Sequence, residues 1–477
     1  MKTMQIGGKL RRLRQERRLT QTEMARELGI SSSYLNLIES NRRPVTVRVL
    51  VQLADKLRVE IASLASDSDE RLTSELMEAL SDPIFEEHDV KASDVRELVT
   101  TLPSLGHALL ALYRSHHHGA GAATSPGLGA LDASSEPGLT GPPTEEVSDF
   151  IEQHANYFEA IESAAEQLWH DNGIALHTLH HDLIRVLSEK LAVQVEIVPI
   201  ARMPGLLRQY NPLTRRLELS EMLPLPSRTF QLAHQIAFLA HRPLLDLLAA
   251  GGKFTSPASD ALARSALANY FAAAVMMPYD RFIEAARTTR HDIDVLQSRF
   301  SVSFEQVCHR LTTLRRPGNA GIPFHLIRVD IAGNISKRFS GSGIHIARFG
   351  AACPRWNVYD AFTTPGMIRV QVSAMPDGQT FFCLARTAEV SSRSGVRAGL
   401  QQRPEKRAIA LGCGIHHARD IVYADGLDLE DKQIVTPIGV SCRTCPRTDC
   451  AERASPPLAH RLDVDENRRG YSAYMVS

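Results

Sequence analysis

Residues Leu19–Pro44, LTQTEMARELGISSSYLNLIESNRRP, constrain the fold more than any other stretch of the chain. Thr20 with Glu23 three residues on is a capping box, which starts a helix at Gln21. Met24, Ala25 and Leu28 fall on one face of that helix. Gly29 supplies the left-handed residue of a sharp turn. Ser31 then caps a second helix whose Leu35 and Ile38 point inward. Two helices so joined make a helix-turn-helix. Ser32, Ser33, Tyr34 and Asn36 are left near the exposed start of the second helix, where a recognition helix meets base edges in the major groove. Asn pairs bidentately with adenine, and Ser hydroxyls reach bases or phosphates.

The flanks supply charge. Between Met1 and Glu60 lie thirteen Lys or Arg and six Asp or Glu, a net of +7 in a chain that is formally neutral. Segregation of this kind suits one module that meets phosphate and a remainder that does not. Arg42 and Arg43, just past the second helix, join the candidate contacts. Taken alone, Lys9, Arg11, Arg12, Arg14, Arg17 and Arg18 read as a solvated helix face; beside the capped motif they read as the footprint of double-stranded DNA.

With 477 residues the chain has room for about three domains. No apolar run approaches the ~20 residues of a membrane span, and the basic N-terminus has no apolar region behind it, so a cytoplasmic protein is expected. The reading is a multidomain α+β chain. Its parts are an all-α helix-turn-helix head (1–65), an amphipathic helical connector (66–115), a Gly/Ala/Ser/Pro-rich linker (116–144), an α-rich domain (145–316) and a β-rich C-terminal domain (317–477). The α-rich domain includes a strand at 191–200, a hairpin around Asn211-Pro212, and helices near 227–249, 257–277, 279–287 and 293–315. In the last domain FHLIRVD, SKRFS, HIARF, IRVQVSAM and TFFCLART read as short strands.

Two sites invite chemistry. The helix FQLAHQIAFLAH at 230–241 is framed like HExxH, in which two His at i and i+4 bind zinc and the Glu activates water. Here Gln235 stands where the base belongs and Phe238 where the second ligand belongs, and neither can do that work. Without metal such a scaffold leaves a pocket for a small molecule. Its candidate lining is Arg208, Tyr210, Gln231, His234, Gln235, Lys253, Asn269 and Tyr270, the Arg and Lys being suited to phosphate. Later in the chain Cys442, Cys445 and Cys450 fall within nine residues, with Cys413 29 positions before Cys442. Four thiolates can close a tetrahedral zinc site or hold an iron–sulfur cluster, and spacing does not choose between them. His416 and His417 are alternatives to Cys413, and Arg443 and Arg447 would offset thiolate charge. The other three of the seven cysteines, Cys308, Cys353 and Cys383, read as core. An odd count with none before Cys308 argues against a disulfide framework.

Residues 6–62 resemble the Cro/repressor-like helix-turn-helix family, which implies a phosphate or base contact for Gln21. The segment around 230–272 resembles the ImmA/IrrE-like metallopeptidase fold. The Glu ligand expected just before an A-N-x-F-A segment is missing ahead of Ala268-Asn269-Tyr270-Phe271-Ala272, where Ser265 and Ala266 stand. Nearly the whole chain apart from the linker resembles the short-chain fatty acyl transcriptional regulator family, through SYLNLIE (33–39), GKFTSP (252–257), LANYFAAAVMMPY (267–279), RVDIAGNISKRFS (328–340), CPRWNVYDAF (353–362), MPDG (375–378), LGC (411–413) and CRTCPRTDCAERASPP (442–457). That resemblance implies a non-enzymatic one-component transcription factor that binds operator DNA, answers to short-chain acyl-CoA and regulates short-chain fatty acid, propionate or glyoxylate metabolism. It also implies a [4Fe–4S] cluster on Cys413, Cys442, Cys445 and Cys450. A homodimer or higher oligomer is expected because paired half-sites are the rule for such heads. The competing readings are an iron–sulfur redox-sensing regulator and a zinc metallopeptidase regulator.

Overall fold

The structure is a computed structural model. It describes residues 19–39, 68–85, 90–122, 143–348, 352–389 and 406–457, with a few isolated positions elsewhere. Two compact units result, the first mainly from residues before 140 and the second mainly from Thr140–Pro456.

In the first unit, α1 (Gln21–Glu27) and α2 (Ser32–Glu39) form the expected helix-turn-helix. Both halves of the capping box close: the Glu23 amide donates to the Thr20 hydroxyl, and the Thr20 amide to the Glu23 carboxylate at 2.7 Å. Gly29 turns the chain at φ +61°. The Tyr34 amide donates to the Ser31 hydroxyl, which caps α2. Met24, Ala25, Leu28, Leu35 and Ile38 are buried together with Leu10 and Val49. Three more helices follow, α3 (Ser68–Ala79), α4 (Ala92–Thr101) and α5 (Pro103–Ala122). Gly106 on α5 faces Leu76 on α3, where an added Cβ would stand 3.0 Å from a Leu76 methyl. The helix α5 runs on through 116–122, which the composition assigns to the linker: no proline interrupts it before Pro126, so each added residue still gains a hydrogen bond.

The second unit begins with α6 (Pro143–Gln153), α7 (Glu159–Asn172) and α8 (Leu179–Arg185). A three-stranded sheet follows, of β1 (Gln194–Val198), β2 (Arg208–Asn211) and β3 (Arg216–Ser220) in the order β1-β3-β2. The hairpin β2–β3 is antiparallel, and β1 pairs parallel to β3. Then come α9 (Leu225–Ala240), α10 (Arg242–Ala250), α11 (Pro257–Met276), α12 (Tyr279–Thr288), α13 (Ile293–Phe300) and α14 (Phe304–Leu311). Two runs that read as single helices are broken. Pro243 has no amide to continue α9, so the chain restarts at Arg242. Ser301 takes φ +51°, and a Ser303–Gln306 capping box starts α14 afresh.

The remainder is a six-stranded sheet in the order β5-β4-β8-β7-β6-β9. Its strands are β4 (His325–Asp330), β5 (Ile335–Ser340), β6 (Arg369–Ala374), β7 (Thr380–Glu389), β8 (Lys406–Gly414) and β9 (Val435–Pro437), with a short helix α15 (Asn357–Asp360) before β6. HIARF forms no strand over its described residues, 345–348. Side chains alternate across the sheet. Phe382, Leu384, Ile409, Leu411 and Cys413 join the core of the preceding helices, while Phe381, Cys383, Ala385, Ala408 and Ala410 join a second core with Trp356 and Val358. Both faces are therefore covered, and the helical half and the sheet share one apolar core. The whole is a multidomain α+β protein with a helix-turn-helix head and a sheet-rich C-terminal region. Among the described residues no helix is long and apolar enough to cross a membrane.

Candidate functional site

The amphipathic pattern that buries Leu35 and Ile38 puts Ser32, Ser33 and Asn36 on the exposed side of α2, with Tyr34 half-buried. The Arg43 guanidinium lies over the Tyr34 ring, 5.9 Å from its centroid, so a cation is held at this face. Arg42 lies outside the described residues. Gln21 is engaged elsewhere: its amide donates to Glu39 at 2.8 Å. Glu39 is buried at the C-terminal end of α2, a poor place for a carboxylate beside the helix dipole. Arg14 compensates with a two-pronged bond to it, at 2.7 and 3.1 Å. Sequence reading had no signal for this three-residue clamp, because its members are up to 25 positions apart.

Of the eight residues expected to line the peptidase-like pocket, the structure brings Arg208 and His234 together. Arg208 on β2 meets His234 Nδ1 on α9 at 2.5 Å. A guanidinium can only donate, so Nδ1 is the acceptor and the proton sits on Nε2. The other hydrogen bond of the ring runs to the backbone of Ser265 on α11. Burial first, and then the Arg208 charge, lower the His234 pKa to about 3. Gln235 is buried on the same helix, and Gln231 and Tyr210 are half-buried. Tyr270 is drawn away: its hydroxyl donates to Glu162 at 2.7 Å inside the core. Lys253 and Asn269 are exposed. His241 ends α9 against Phe271, with ring centroids 4.8 Å apart, whereas His234 packs on Phe238. We expect 15N-histidine NMR to show the His234 imidazole neutral from pH 7 down to about pH 4, with Arg208→Ala moving its titration upward. Since the unfolded chain takes that proton near pH 6.5 and the folded chain near 3, acidification through this window must lower stability.

The late cysteines are arranged differently from their spacing. Cys413 on β8 faces the helical core, and burial, then Cys383 and Asp420, raise its thiol pKa. Cys353 instead lies by the late loop. Its amide donates to the Val440 carbonyl at 3.0 Å. Burial raises its thiol, and the nearby Cys442 and Cys445 raise it further. Gly439 packs so closely that an added Cβ would stand 2.9 Å from Cys445 Sγ. Arg453 donates to the carbonyls of Cys442 and Cys445, and Arg447 to those of Ala374 and Ile438, which wraps the loop onto the sheet edge. The Ala454 amide donates to Cys442 Sγ. Arg447 thus serves backbone carbonyls. Among the described residues no three His, Cys, Asp or Glu side chains gather closely enough to hold a metal ion.

A capped helix-turn-helix with a polar, cation-flanked face, followed by a large mixed α/β unit, defines a DNA-binding regulator. Comparison with known proteins bears this out. Residues 10–64 match the helix-turn-helix family, 188–312 the IrrE N-terminal-like domain, and 313–474 the short-chain fatty acyl coenzyme A regulator, C-terminal. The chain is 40% identical over 485 residues to the HTH-type transcriptional regulator RamB of Mycobacterium tuberculosis, covering 99% of this chain and 98% of that one. It is 39% identical to PrpR of the same organism, over 97% and 93% of the two chains. It is 40% identical to the propionyl-CoA carboxylase regulator of Cereibacter sphaeroides, over 98% of both. A solved structure titled Mycobacterium tuberculosis transcriptional regulator superposes with a TM-score of 0.66 at 39% identity, covering 70% of this chain and 99% of that one. The chain belongs to this family of helix-turn-helix transcriptional regulators.

Proposed function

We propose that this protein is a one-component regulator of short-chain acid metabolism whose hold on its operator is set by a short-chain acyl-CoA. The observation that carries the reading is the pairing, in one chain, of the helix-turn-helix head with a region matching the short-chain fatty acyl coenzyme A regulator family. A relative named for control of propionyl-CoA carboxylase supports the ligand class. The effector binds one arrangement of the second unit better than another and shifts the population toward it. A coupling of about 1–3 kcal/mol changes DNA affinity roughly 5–150-fold, enough for a switch. Two heads in a homodimer read two half-sites. The test is binding of the purified protein, at fixed salt, to DNA upstream of its own gene and of neighbouring short-chain acid genes, with acetyl-CoA, propionyl-CoA and free CoA titrated in. Affinity that answers to an acyl-CoA but not to free CoA supports the reading; indifference to all three removes it.

The peptidase reading lacks its chemistry. The zinc implied by the IrrE-like fold does not fit here, because a guanidinium occupies the ring nitrogen of His234 that faces β2 and the neighbouring positions are Gln235, Phe238 and Ser265. The late cysteines carry a second reading, in which their side chains draw together on a metal, since among the described residues no three of them lie close enough to hold one. Cys442, Cys445 and Cys450 with Cys353 are the donor set we propose for an iron–sulfur cluster or zinc, the nearness of Cys353 to Cys442 and Cys445 favouring it over Cys413. Metal analysis should find the content of the purified protein reduced by Cys353→Ser and unchanged by Cys413→Ser; the reverse result restores Cys413.

A further inference from the structure

A cleft of about 470 Å3 opens in the second unit between the end of α12, the 320–322 segment and the turn after β8. Cavities of ~300–1,000 Å3 are the usual size of small-molecule sites. Its wall carries three guanidinium groups, those of Arg287, Arg290 and Arg419, beside His291 and His417, whose pKa values burial lowers, and Asp420 is the one acidic residue among the lining. Of these, none figured in the pocket read from the sequence, because they come from segments about 130 positions apart.

The backbone at this wall is unusual. Arg290 and His291 take consecutive left-handed conformations, φ 49° and 58°. Side chains with a Cβ pay for that geometry, which collects at ligand clamps and persists only where the surroundings over-determine it. Here they do. The His291 amide donates to Ala286 at 2.7 Å and the Val422 amide to Arg290 at 2.8 Å. Arg290 forks onto Asp425 at 2.9 and 2.7 Å and donates to the Arg419 carbonyl at 3.0 Å. His291 Nδ1 lies 3.1 Å from the Asp420 carbonyl. Arg290 and His291 are thus positioning residues that lock the helical half to the turn after β8. Arg287 spends two bonds on Asn319 and Ala320, out of the five N–H donors of a guanidinium. Arg419 is 77% exposed, with a 3.4 Å contact to Glu430.

We infer that this cleft binds the phosphate-bearing nucleotide end of the acyl-CoA effector, with Arg287 and Arg419 pairing its phosphates. The inference rests on the acyl-CoA reading above and assigns a place to it. Guanidinium groups match phosphate bidentately, and three of the nine residues that line the cleft carry one. A ligand that touches both the α12 end and the β8 turn binds best when the two are held as they are here, which is the differential affinity a switch requires.

The experiment is calorimetric titration of the full chain with propionyl-CoA and with adenosine 3′,5′-bisphosphate, the nucleotide end alone, at fixed salt. Arg419→Glu and Arg287→Ala are compared with wild type, their folding checked by tryptophan fluorescence. We expect both ligands to bind wild type and to bind Arg419→Glu at least tenfold more weakly. Arg419 is exposed enough that its loss spares the fold, so this variant decides the matter if Arg287→Ala misfolds. Wild-type affinity for propionyl-CoA in Arg419→Glu, within twofold, overturns the site and leaves the acyl-CoA reading standing. Bisphosphate binding that depends on Arg419, with no propionyl-CoA binding by wild type, keeps the cleft and overturns the acyl-CoA reading. Binding of neither overturns both, and operator DNA that competes with the bisphosphate reassigns the cleft to nucleic acid and overturns the inference.

Discussion

Arg310→Ala should destabilise the second unit by about 3–5 kcal/mol, the range for breaking one partner of a buried ion pair. Arg310 and Glu162 are 0% and 1% exposed, and the guanidinium holds both carboxylate oxygens at 2.6 and 2.9 Å. It also donates to the Met277 carbonyl and the Thr313 hydroxyl, while Tyr270 donates to Glu162. Burial lowers the pKa of Arg310 and Glu162 raises it more, so the guanidinium stays charged. Removing the arginine strands a carboxylate with one hydroxyl partner in a dry core. The two tryptophans of the chain, Trp169 and Trp356, both lie in this unit, so the midpoint of urea unfolding by intrinsic fluorescence reports on it directly. The double variant Glu162→Leu/Arg310→Met should recover most of the loss, since an apolar pair needs no mutual satisfaction. A loss under about 1 kcal/mol for Arg310→Ala would show that water reaches this pair and that it does not anchor α7 to α14.

Asn36→Ala should weaken specific operator binding roughly 10–100-fold, the worth of about 1–3 kcal/mol that one bidentate base contact carries. Asn36 is exposed on α2 and no part of its core, so the head should keep its fold. Binding to unrelated DNA, and the slope of affinity against salt, should hardly move, because both are set by phosphate contacts. Arg43→Ala should do the opposite. It should weaken specific and non-specific binding alike and reduce the salt slope by about one ion. Electrophoretic or polarisation titrations at three salt concentrations separate the two. Equal loss on specific and unrelated DNA in Asn36→Ala would remove Asn36 from base readout.

How far a site can be read along the chain depends on how local it is. The helix-turn-helix was legible to the residue: Thr20, Glu23, Gly29 and Ser31 act on neighbours within three positions, and helical periodicity alone buries Met24, Leu28, Leu35 and Ile38. The hairpin at 212–215 and the strands β4 to β7 were legible for the same reason. The Ala-rich strand β8 was not, because AIALGCG is apolar on both faces and lacks the alternation that marks a half-exposed strand.

The chemistry of the second unit was decided in three dimensions. From the sequence alone come Gln235 and Phe238 at the positions of the base and the second ligand: an amide is no base, and a phenyl ring has no lone pair for zinc. Only the tertiary structure puts Arg208 of β2 against His234, 26 positions away, and so holds a positive charge beside that ring. Likewise, the family resemblance named Cys413 as the partner of the late cysteines, where spacing left His416 and His417 open. The sheet places it on the helical face of β8 and brings Cys353 to the loop at the far edge, because alternation along a strand and strand order across a sheet set which thiols can meet. Local rules thus determined the DNA-binding head, while contacts across tens of residues or more determined the second unit, where charge and burial are properties of neighbours that the linear chain does not name.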